Sequence, residues 1–81
     1  MAPEITIRQA TSADAFALRR LAALDDAPAL HGDVLLAEHA GDVRAALSLE
    51  NGRSIANPFA PTAKLVDMLR VHSAYAGTIA A

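Results

Sequence analysis

The sequence predicts one α+β domain in the order β-α-β-β-β-α, a three- to four-stranded, mainly antiparallel sheet with two helices. Three observations lead there. The chain opens on an alternating β-branched stretch, two hairpin signals follow each other in its middle, and helical apolar stripes follow "TSAD" and Pro61. At 81 residues this is a single unit spanning 1–81, with its core over about 4–76, only just large enough to stand alone. A hydrophobic content of 53% against 20% charged residues indicates a folded globule. Much of that content is alanine, at 20 residues, with only one Tyr and two Phe, so the core is thinner than the percentage suggests.

The first element is "EITIR", a strand from Glu4 to Arg8 with Ile5 and Ile7 on one face. In "TSAD", Thr11 or Ser12 can satisfy an early N–H and Asp14 suits the positive end of a helix, so a helix follows. Ala17, Leu18, Leu21 and Leu24 form its apolar stripe, Arg19 and Arg20 point away, and Asp25, Asp26 and Pro28 close it. Phe16 and Ala23 lie on the far side; an aromatic there is either a partly exposed surface residue or a partner contact. Residues 34–39 then form a strand, Gly41-Asp42 a tight turn, and residues 43–50 a second strand. Asn51-Gly52 is the strongest hairpin signal, returning the chain as "RSIAN". Alternation places Val43, Ala45, Leu47 and Leu49 on one face, and the mostly small or polar Arg44, Ala46, Ser48 and Glu50 on the other. The last helix begins at Pro61 and ends near Gly77. Leu65, Leu69, His72 and Ala76 share its stripe with Val66 and Met68 beside them, while Lys64, Asp67 and Arg70 face water.

Composition narrows function. A net charge of −2, a pI near 5.8 and seven scattered Lys and Arg residues argue against nucleic-acid binding. Without cysteine there is no disulfide, thiolate nucleophile or Cys-ligated metal. "MAPEITIR" lacks the pattern of a secretory signal, and Lys64, Asp67 and Arg70 interrupt the apolar C-terminal stretch, so no membrane span is expected and the expected location is cytoplasmic.

"ITIRQATSADAFALRRLAAL" resembles the opening strand and helix of the GNAT superfamily of N-acetyltransferases, and "VLLAEHAGDVRAALSL" is similar to that superfamily's next hairpin. Together these phrases cover roughly residues 4–60. The resemblance implies a fourth strand that leads into a helix through an acetyl-CoA pyrophosphate loop, with a fifth strand splaying away to admit the pantetheine arm. The family's loop has Arg or Gln, two residues, Gly, one residue, then Gly or Ala; "PFAPTAKL" has neither the basic or amide residue nor the glycine. The chain also ends one helix later. What the resemblance implies is therefore the N-terminal half of such a domain.

Acetyl transfer needs a base for the amine, an acid for the thiolate and donors for the anionic groups. Glu38 and Glu50, at strand ends, are candidate bases, directly or through water, although exposed strand-end carboxylates are the plainer reading. Tyr75 is a candidate acid or a packed ring with a wet hydroxyl, and His72 a base or a hydrogen-bonded core histidine. His31, His39 and His72 match no metal-ligand spacing, so no metal is expected. Thr62, Ala63 and Lys64 offer N–H groups and an ammonium to an anion at a helix start, although Pro58 and Pro61 explain that turn without a ligand.

The expected function is a self-associating interaction or ligand-binding module without complete acetyltransferase chemistry and without a cofactor. One alternative is an acyl-CoA-dependent N-acetyltransferase, using acetyl-CoA, whose site is completed by a second copy or a partner chain. Another is a structural partner of a full-length enzyme. The expected partner is a second copy, docked through the Arg53–Phe59 edge, the last helix, or both, with Phe59 and the "TIAA" tail contributing.

Overall fold

The computed structural model describes residues 4–80, with side chains described as far as residue 74. Strand β1 (Ile5–Gln9) leads through a 3₁₀ turn (Ser12–Asp14) into helix α1 (Ala15–Leu24). Strands β2 (Val34–His39), β3 (Asp42–Ser48) and β4 (Ser54–Ala56) follow, then helix α2 (Ala63–Ala80). All neighbouring strands are antiparallel and lie in chain order, β1-β2-β3-β4. The α+β class and its element order are as the sequence predicts.

One helix covers each face of the sheet. Leu21 and Ala22 of α1 pack on Val34, Leu36, Ala46 and Ile55, and Leu65 and Leu69 of α2 pack on Ala37, Ala45 and Leu47. The two layers alternate along each strand, as period-two geometry requires. On the face of β3 expected to be only partly apolar, Ala46 and Ser48 are fully buried, because they are small enough for α1 to approach closely, while Arg44 is half-buried and Glu50 lies beyond the strand, exposed.

The alternation breaks at one point. Ala37 pairs with Ala45 but Glu38 pairs with Val43, which leaves Arg44 as the extra residue of a β-bulge. The bulge moves Val43 to the α1 face, where it packs beside the core that contains Ala46, instead of the α2 face expected from simple alternation. Leu49 leaves the sheet altogether, since β3 ends at Ser48.

Both hairpin turns differ from the sequence expectation. The first is Ala40-Gly41, not Gly41-Asp42: His39 pairs with Asp42, and φ is +53° at Ala40 and +86° at Gly41, the type I′ signature with glycine second. The second is a four-residue loop closed by Ser48 N–H donating to the Arg53 carbonyl at 2.8 Å, so Asn51-Gly52 ends a longer loop instead of forming a two-residue turn. Gly52 does adopt positive φ, at +74°.

Helix α1 stops in a Schellman arrangement in which Ala27 N–H donates to Ala22 C=O and Asp26 N–H to Ala23 C=O, with Asp26 at φ +49°. Leu24, assigned to the apolar stripe, is 37% exposed. Helix α2 begins at Ala63, two residues after Pro61, with Val66 N–H donating to the Thr62 carbonyl, and it continues through Gly77 to Ala80. A glycine inside a helix costs roughly 1 kcal/mol relative to alanine, which does not suffice to end one. The sheet-facing row of α2 is Leu65, Leu69 and the half-buried Ser73; His72 lies off that four-residue row and is exposed.

Candidate functional site

The residues singled out from sequence are placed apart. Glu50 is exposed in the β3–β4 loop, packed against Gly32. His72 is exposed midway along α2, and the side chain of Tyr75 lies outside the described residues. Glu38 is not a free base: its carboxylate accepts from Arg8 Nε at 2.9 Å. Among the described residues, Glu38, Glu50 and His72 do not meet to form a base, acid and donor set.

Arg8 is instead the centre of an ion cluster. Its two terminal nitrogens donate to the two oxygens of Asp14, each at 2.8 Å, and its Nε reaches Glu38. Register explains the meeting. Arg8 faces Leu36 and Thr6 faces Glu38 on the α1 side, so Arg8 and Glu38 are diagonal neighbours, and the short β1–α1 connection returns Asp14 over them. Asp14 also accepts from Thr11 N–H at 2.7 Å. The Arg8 guanidinium, followed by the Thr11 N–H, holds the Asp14 carboxyl well below the usual carboxylate range, and Asp14 followed by Glu38 raises Arg8 above its ordinary value. Every charge here is answered by another, so the cluster anchors α1 on the sheet. Sequence reading recognised Asp14 only as a helix-start residue. The available signal was charge on both strands of a face that α1 must cover.

The bulge builds a second group. Arg44 is directed toward the end of the sheet where Ile5 and His39 meet the start of α2, and there His39, Arg44, Thr62 and Lys64 line a cavity of about 260 Å³ with Ile5, Ala60, Pro61 and Leu65. Thr62 and Lys64 belong to the anion site expected from sequence; His39 and Arg44 were not expected beside them, because only the bulge brings Arg44 there. On the α1 side a groove of about 420 Å³ is lined by Phe16, Arg20 and Leu24 together with residues 41–44 and Asn57, so Arg44 borders both openings. Among the described residues, no cluster of three or more His, Asp or Glu is arranged to hold a metal ion, and no helix is long and apolar enough to cross a membrane.

The sheet has two edges, β1 and β4, and the one at which association was expected, β4, is only three residues long. Its outward Ala56 N–H donates to Asp25 Oδ2 at 3.1 Å, and the Ser54 hydroxyl accepts from Arg70 at 3.4 Å. The edge expected over Arg53–Phe59 is therefore shorter and partly covered by the chain's own side chains. Phe59, just beyond it, is 82% exposed, and Phe16 on α1 is 70% exposed.

These features define a small α+β domain with a four-stranded antiparallel sheet held between two helices and a basic-lined cavity at one end. No protein-family model matches the chain, and no curated protein or solved structure is similar to it at a level that establishes relationship.

Proposed function

We propose that this chain is a small GNAT-like interaction module that associates with a second copy of itself, without complete acetyltransferase chemistry. The observation that carries the reading is the placement of both phenylalanines on the surface while the core is built from Leu, Ile, Val and Ala. Aromatic side chains bury the most apolar area per residue and anchor interfaces, so a domain with a thin core gains from burying them against a partner. Charge placement favours a second copy. Arg19 and Arg20 are exposed on α1 and Asp26 is exposed just past its end, so a twofold antiparallel arrangement sets basic residues of one copy against an acidic residue of the other. Sedimentation equilibrium across micromolar concentrations tests this: a concentration-dependent dimer, dispersed by Phe59→Asp, is expected, and a monomer at every concentration overturns it.

A second reading, an acyl-CoA-dependent N-acetyltransferase completed by the second copy, draws on the Lys64 ammonium at the start of α2. Calorimetric titration with acetyl-CoA, followed by an amine panel, separates it: heat and turnover support it, and silence leaves the interaction module.

A further inference from the structure

We propose that the cavity between the start of α2 and the Ile5–His39 end of the sheet binds a small carboxylate carrying an apolar body. Arg44 carries the argument. As the extra residue of the bulge it is directed out of the ladder, and bulges recur where a strand re-aims a functional side chain. Its Nη2 is 3.5 Å from the exposed Asp42 carboxylate, and its Nε–H is buried and meets no acceptor among the described residues. A buried donor on a charged group is costly to leave unpaired. The side chain is nevertheless 29% exposed, and two carboxylate oxygens in the cavity match the outer Nη groups of its guanidinium as a charge-assisted pair.

The rest of the cavity defines the ligand. Lys64 adds a second positive charge at the rim and His39 a further polar contact, while Ile5, Ala60, Pro61 and Leu65 form an apolar wall. Such a wall gives nothing to a bare, strongly hydrated anion and favours an alkyl body. A volume of about 260 Å³ lies just below the range of drug-sized ligands, which points to an acid of a few carbons. Neither Phe16 nor Phe59 lines the cavity, although Arg44 also borders the Phe16 groove.

The test is a ¹⁵N chemical-shift titration of the chain with hexanoate, run beside 1-hexanol and inorganic phosphate. Hexanoate is expected to shift the Arg44 side-chain N–H and the backbone amides of His39, Thr62 and Leu65 saturably. Hexanol is expected to bind about tenfold more weakly or worse, since it lacks the charge-assisted pair. Arg44→Gln should lose at least about tenfold in affinity, and the exposed Lys64→Gln several-fold with an unchanged melting temperature. Should Arg44→Gln not fold, the comparison of hexanoate with hexanol on the unaltered chain and the Lys64→Gln titration still decide. Absence of saturable shifts overturns the proposal, as does equal binding of hexanol, or phosphate matching hexanoate at the same amides.

Discussion

Ser48 shows how one polar residue can order two loops. Its side chain is fully buried, its hydroxyl donates to the His31 carbonyl at 2.9 Å, and the same oxygen accepts from Glu50 N–H at 3.2 Å. Removing that hydroxyl takes a bond from each of the two loops at once. Ser48→Ala is therefore expected to cost about 1–3 kcal/mol, and a melting temperature within a degree or so of the parent would show that water replaces the hydroxyl. Asp14 makes a pH-dependent contribution. Its carboxyl is depressed in the folded state by Arg8, so its stabilisation is complete above the unfolded value near about 3.9 and is lost as pH falls through the lower folded value. Asp14→Asn should thus lower the melting temperature by a constant amount at neutral and mildly acidic pH, with the gap to the parent narrowing once pH drops below about 4. A gap that stays constant into strong acid would show that Arg8 does not favour the charged form. The exposed part of Arg8 is open to solvent screening, so added salt should reduce the gap as well.

Among the elements, the β2–β3 hairpin and α2 make opposite demands. The hairpin turn puts an alanine at φ +53°, a conformation that asparagine adopts far more readily. Ala40→Asn is expected to stabilise the domain by up to about 1 kcal/mol in thermal unfolding; a destabilised variant would show that the turn relaxes away from type I′. Helix α2 depends on its row of leucines. Leu69 is fully buried against Ala37, Ala45 and Leu47, and the small alanines opposite cannot reach across a gap, so Leu69→Ala should cost about 2–5 kcal/mol. In a domain of this size that approaches the whole stability, and an unchanged melting temperature would mean that the helix does not rest on the sheet through this row.

At the scale of the whole molecule, the sheet is covered on both faces, so it has only its edges and the outer helix surfaces left for partners. The β4 edge is short and partly satisfied by Asp25, so the proposed self-association draws above all on the exposed Phe16 and Phe59. If that association exists, it is linked to folding. The melting temperature should rise with protein concentration over the range in which sedimentation shows the dimer, and Phe59→Asp should abolish the rise.

The sequence by itself determined the class, the order of the elements and most of the core. Local signals carry these: "EITIR" alternates, "TSAD" opens a helix, and Leu65 and Leu69 repeat at helical spacing, each within a few residues. The tertiary structure alone decided what depends on register across strands. The bulge at Arg44 reversed the face of Val43 and carried Arg44 to His39 and Lys64, and the pairing of β1 with β2 joined Arg8 to Glu38 across thirty positions of chain. A one-residue slip in pairing exchanges the two faces of a strand, yet it leaves no mark on local composition, so the candidate site could be assembled only once the sheet had closed.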